Sequence, residues 1–196
     1  MLPRKDQFSG CLIGQCLGDA LGFVVEGFSP DACKRYIEDI LKKDRVGEFG
    51  RFPFNFGQYS DDSQLARELL QSYSTCKRFD PKDYAERIKT IFHEKRIIGW
   101  GQATKDAASR LINGIPWEEA GTPAPSAGNG SAMRAAPIGL FFFDDIKLLI
   151  QGAYDQGRIT HKDSRCSAGA IAISGAVDLV LQGKPINPDL FLGTLS

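Results

Sequence analysis

Two adjacent carboxylates flanked by hydroxyls, Ser60-Asp61-Asp62-Ser63, are the residues of this chain best suited to chemistry. Neighbouring side chains on a helix diverge by about 100°, so both carboxylates reach one point only where the backbone is still turning into the helix. Leu65, Ala66, Leu69 and Leu70 follow at helical spacing, which puts the pair at a helix start. The positive end of the helix dipole accommodates two negative charges there. Hard oxygen donors of this kind suit Mg²⁺ or Mn²⁺ rather than a soft metal. The same tetrapeptide also reads as an N-cap, with Ser60 or Asp61 accepting from a free backbone N–H.

A second group with chemical potential is Gly128-Asn129-Gly130-Ser131, followed by Ala132-Met133-Arg134 and a helical run. A Gly-rich turn feeding a helix presents backbone N–H groups and a positive dipole end to an anion, and Arg134 in the first turn is placed to reach a phosphate. An ordinary loop capped by Ser131 fits the same residues. Thr160-His161 lies between two helices, and His161 and His93 are the only histidines. Asp19 and Glu26 put two more acids at and beyond the end of the first helix.

The elements that must position these groups read as helix after helix, an all-α fold. Helices are expected over 7–25, 30–43, 61–76, 81–95, 102–112, 116–120, 132–142, 145–156 and 163–181, with another beginning at Pro188. Ser29 and Asp80 stand as caps ahead of Pro30 and Pro81. Only 49–56 alternates with period 2, and Pro53 with flanking glycines makes it an extended loop or edge segment. Long loops are expected at 44–60 and 121–131. Gly10, Gly14, Gly18 and Gly22 recur every four residues along one helical face, at about 1 kcal/mol each relative to Ala. Close packing of another helix is the main compensation expected for them.

The length suits one core and one domain over 1–196. Acidic and basic residues balance at 24 each, so no basic face announces nucleic acid as the main partner. The N-terminus lacks a signal-type apolar run, and the densest apolar stretch, 138–143, is too short to span a bilayer. Five scattered cysteines without a CxxC pair fit reduced, mostly buried thiols in a cytoplasmic protein.

Taken together, the segments resemble the ADP-ribosylglycohydrolase family. The resemblance rests on Gly14-Gln15-Cys16-Leu17-Gly18-Asp19-Ala20-Leu21-Gly22 with Glu26, on Ser60-Asp61-Asp62-Ser63, on residues 128–134 with Pro137 and Gly139, and on Thr160-His161, all in the family's order. It implies a compact all-α domain holding two Mg²⁺ or Mn²⁺ ions beside an ADP-ribose cleft. By the same resemblance Ser60, Asp61 and Asp62 are metal ligands, Ser standing where the family has Thr. Glu26 and Asp62 are then catalytic. Gly128, Asn129, Gly130, Ser131, Ala132, Met133, Arg134 and His161 bind the substrate, which is ADP-ribose or an ADP-ribosylated protein.

One family feature is absent. The family's second metal-binding segment, an Asp-x-Asp-Thr toward the C-terminus, has no counterpart, since the only acids after residue 163 are Asp178 and Asp189. The chain is accordingly expected to be a fragment, to be completed by a second chain, or to have lost catalysis. A fragment should self-associate through an exposed apolar face. Two functions fit: a metal-dependent hydrolase cleaving the glycosidic bond of ADP-ribose on proteins or small molecules, and an inactive ADP-ribose-binding or crystallin-like structural member.

Overall fold

Single polar residues start many of the helices in this chain. The computed structural model describes residues 3–45, 50–183 and 187–195. Helix α1 (Lys5–Gly22) passes into a 3₁₀ turn, Phe23–Val25. Ser29 accepts from the Ala32 N–H to open α2 (Pro30–Arg35), which runs into a wider π-type turn, Tyr36–Leu41. The expected extended segment forms a two-residue antiparallel hairpin, β1 (Gly50–Arg51) with β2 (Phe54–Asn55). Phe49, at the head of that segment, lies outside the described residues.

Ser60 caps α3 (Asp61–Cys76) and Asp80 caps α4 (Pro81–His93). Then come α5 (Gln102–Ile112), α6 (Trp117–Ala120) and α7 (Ala136–Phe141). Asp145 and Asp163 cap α8 (Ile146–Arg158) and α9 (Ser164–Leu181), and α10 is Pro188–Leu195. The fold is all-α apart from the small hairpin.

The core lies between α3, α4, α5, α7, α8 and α9. Leu65 and Leu69 of α3 meet Tyr84, Ile88 and Ile91 of α4, with Ile138, Leu149 and Ala170 closing the far side. The Tyr84 hydroxyl donates to the Leu65 carbonyl at 3.0 Å, which removes the cost of burying it. Helices α7 and α9 touch backbone to side chain at Gly139, where any Cβ would collide with the Ser174 carbonyl and Val177.

Three expectations need correction. The helix expected over 132–142 begins only at Ala136. Proline carries no N–H and is tolerated only in a first turn, so Pro137 fixes the helix start just ahead of itself. The Met133 carbonyl, which an earlier start would have left unpaired opposite Pro137, instead accepts from Gln15 Nε2 at 3.0 Å. The α1 glycines are not packed closely: nothing among the described residues comes within 4 Å of a Cβ added at Gly10, Gly14, Gly18 or Gly22, and α1 buries no residue. Of the five free cysteines only Cys166 is buried, and Cys16 is exposed.

By length and composition alone, Lys5–Val25 and Ser164–Leu181 are apolar enough to cross a bilayer, both longer than the 138–143 run. Both are tied into the helical assembly. Asp19 of α1 bonds to the start of α3, and α9 packs on α7 and α8.

Candidate active site

The start of α3 is anchored by a residue far away in sequence. Asp19 accepts from the Ser60 N–H through both carboxylate oxygens (3.0 and 2.9 Å), from the Ser60 hydroxyl (2.8 Å) and from the Ser63 N–H (3.0 Å). Ser60 itself caps α3 by accepting from the Asp62 N–H, so the capping role is real. It leaves the two following carboxylates free for other work.

Asp61 is only 5% exposed. Burial pushes it up to about 7, and the negative charges of Asp62 and Glu26 push the same way, while the Arg134 cation opposes them. Asp62 rises to about 6, first through burial and then through Asp19 and Glu26. Glu26 is more open and pairs with Arg51, whose Nη1 donates to it at 2.9 Å and also to the Phe23 carbonyl at 2.9 Å. Among the described residues, no three His, Cys, Asp or Glu side chains gather closely enough to enclose a metal ion.

A cleft of about 260 Å³ is lined by Glu26, Asp61 and Asp62 together with Gly128, Asn129, Gly130, Met133 and His161. Gly99 to Thr104 and Ser126 complete its lining, except for Trp100, which lies under Lys105 instead. His161 is 2% exposed and packs against the Gly-rich turn, where a Cβ on Gly130 would come within 2.5 Å of its Cε1 atom. Burial and the Arg134 charge lower His161 to about 4, so the imidazole is neutral at physiological pH.

Residues 2–195 match the family model described as ADP-ribosylglycohydrolase. This chain belongs to the ADP-ribosylglycohydrolase family. It is 32% identical to the ADP-ribosylhydrolase ARH3 of Xenopus tropicalis, over all of this chain and 56% of that protein. It is 27% identical to the ADP-ribosylarginine hydrolase Tri1 of Pseudomonas putida, over 91% of this chain and 47% of that protein. A solved structure titled ADP-ribosylglycohydrolase-related protein complex superposes with a TM-score of 0.75 at 28% identity, covering 94% of this chain and 59% of that one. The chain thus spans about half the length of the curated relatives it matches.

Within this family member, the residues singled out from sequence divide into two groups. Glu26, Asp61, Asp62, Gly128, Asn129, Gly130, Met133 and His161 meet at the cleft, and Ser60 borders it beside Asp19. Ser131, Ala132 and Arg134 do not line it, and the Arg134 side chain, expected to reach a phosphate, does not face the cleft. The Ser131 hydroxyl donates to the Cys166 carbonyl, and Arg134 turns fully into the core. There its Nε donates to Gln156 Oε1 at 2.9 Å, and its Nη2 to the Gln156 carbonyl at 2.9 Å and to Thr160 Oγ1 at 2.7 Å. Sequence reasoning gave Arg51 no role and named Gln15 and Thr160 only within motifs, because the partners that define all three lie far along the chain.

Proposed function

We propose that this chain binds ADP-ribose and carries part of a metal-dependent site that hydrolyses the glycosidic bond joining it to a protein side chain or a small molecule. The observation that carries this is the cleft itself, which gathers three carboxylates, a Gly-rich turn and a neutral histidine around one opening. The donor set fits a hard divalent cation. Asp61 is buried and Asp62 half-buried, both crowded by like charge, and a cation there would stabilise the charged forms that burial disfavours. Mg²⁺ commonly takes only one or two carboxylates and keeps several waters, so Asp61 and Asp62, with the Ser60 oxygen beside them, would hold it. Such an ion supplies Lewis-acid charge that orients ribose hydroxyls and lowers the pKa of a bound water.

The chain's own groups do the rest. The carboxylates of Glu26 and Asp62 line the cleft and would stabilise the positive charge that develops on an oxocarbenium-like ribose as the glycosidic bond breaks. One of them takes a proton from the attacking water, whose oxygen bonds to the anomeric carbon as the glycosidic bond breaks, and gives that proton up as the departing group is protonated. Gly128 and Gly130 let the substrate approach the backbone, and His161 orients it.

Calorimetry with ADP-ribose, with and without Mg²⁺ or Mn²⁺, tests the proposal alongside release of ADP-ribose from arginine- and serine-linked peptides. Binding should strengthen with the cation in wild type and lose that response in Asp61→Asn and Asp62→Asn. An undiminished cation response in both variants would remove these residues from the site. That no third His, Cys, Asp or Glu joins Asp61 and Asp62 among the described residues favours a second reading, an ADP-ribose-binding member without catalysis. Binding without release would select it.

A further inference from the structure

The chemistry that His161 offers the cleft is set by a buried relay behind it. Thr160 Oγ1 lies 2.9 Å from His161 Nδ1 and accepts from Arg134 Nη2 at 2.7 Å. A threonine hydroxyl has one proton to give. Its only other acceptor among the described residues is the Gly157 carbonyl, at 3.5 Å. That carbonyl already accepts from the backbone N–H groups of Thr160 (3.1 Å) and His161 (2.9 Å), so both its lone pairs are taken. The hydroxyl proton therefore goes to Nδ1. Arg134 occupies one of the oxygen's two acceptor positions, and its charge polarises the O–H bond toward the ring. Gln156 holds the guanidinium in place through two acceptors. The neutral state of His161 agrees with this arrangement.

Nδ1 as acceptor leaves the ring proton on Nε2. Nε2 is on the side of the ring facing the Gly-rich turn, 3.6 Å from where a Gly128 Cβ would stand, and has no hydrogen-bond partner among the described residues. We propose that Arg134 and Thr160 are positioning residues that lock His161 as its Nε2–H tautomer, so that the cleft presents a neutral N–H donor selecting an oxygen acceptor of a ribosyl diphosphate. The tautomer is a property of the free protein, and only its use on a ribosyl or phosphate oxygen rests on the ADP-ribose assignment.

Long-range ¹H–¹⁵N NMR of ¹⁵N-histidine-labelled protein near neutral pH tests this directly. With only two histidines, His93→Gln assigns the spectrum. Wild-type His161 should show a protonated Nε2 and an unprotonated Nδ1. Thr160→Ser, which keeps the hydroxyl, should preserve that pattern, and Thr160→Val should move it toward the other tautomer and weaken ADP-ribose binding about tenfold. Arg134→Met, where it keeps the wild-type circular dichroism, should give a mixed tautomer by removing the charge that polarises the Thr160 hydroxyl toward the ring. A wild-type ring protonated on Nδ1, or a Thr160→Val ring unchanged from wild type, overturns the relay. Should Thr160→Val not fold, the wild-type and Thr160→Ser spectra decide alone. The expected tautomer without ADP-ribose binding upholds the relay and counts against the ADP-ribose assignment.

Discussion

Asp61 and Asp62 make the protein's stability run downhill with pH. In the unfolded chain both carboxyls titrate near the ordinary value, whereas the folded chain holds its protons to about 7 and about 6. Between those limits the folded state binds more protons, so stability is greatest below the ordinary carboxylate range and falls as pH rises through the folded values. Without divalent cation, the melting temperature should be lower at about pH 8 than at about pH 5, and Asp61→Asn should flatten the slope. Mg²⁺ or Mn²⁺ should raise the melting temperature most at the alkaline end. A slope unaffected by Asp61→Asn would show that the pair is not strained by its burial. Asp163, held well below the carboxylate range by Arg165, acts oppositely only in acid, whereas His161, lowered to about 4, acts oppositely from there up to the ordinary imidazole value. The difference between wild type and Asp61→Asn therefore isolates the carboxylate part. At this scale the Ser-Asp-Asp-Ser run was legible because a cap and a carboxylate pair are both local patterns. Arg134 was not, since a basic residue after a Gly-rich turn looks like an anion ligand until Gln156 and Thr160, more than twenty residues away, draw it inward.

At the scale of elements, the cleft's second wall depends on how closely one turn approaches one ring. A Cβ at Gly130 would crowd His161 Cε1 (2.5 Å) and Thr104 Oγ1 (3.2 Å), whereas at Gly128 it would only touch Nε2 at 3.6 Å. Gly130→Ala should therefore displace His161 and cut ADP-ribose affinity sharply while Gly128→Ala changes it little, a contrast that calorimetry reads. Equal losses would mean that the turn binds through something other than its fit to the ring. The same logic separates glycines that look alike in sequence. Gly139→Ala should cost about 1–3 kcal/mol by overpacking α7 against α9. Gly14→Ala, on an open helical face, should gain about 1 kcal/mol. Denaturant titrations of the two variants give the signs. Helix positions were legible from caps and prolines, because those act within one turn. What spacing could not reveal is whether a glycine stripe has a neighbour: the α1 stripe has none among the described residues, while the single Gly139 does.

For the whole molecule, the decisive feature is how little of α1 the fold covers. Ile13 and Leu17 are 66% and 56% exposed, and Ile173 and Val180 of α9 are also open to solvent. Apolar surface of this kind favours association. The 196-residue chain should sediment as an oligomer or scatter light at concentrations where Ile13→Lys with Leu17→Lys is monomeric. A wild-type monomer at all concentrations would mean that the α1 surface is tolerated as it stands.

That exposed helix also sets the gauge of the cleft. The Gln15 carboxamide gives one hydrogen to the Asp62 carbonyl at 3.3 Å and the other to the Met133 carbonyl at 3.0 Å. The carboxylate wall and the loop that leads into α7 are thus pinned to opposite hydrogens of one amide group. Their separation is a bond-length quantity, fixed by a planar group that cannot stretch. The amide cannot be reversed either, since its oxygen would then face two carbonyls. The jaws of this cleft are spaced by a single rigid shim, carried by a helix that buries none of its own residues.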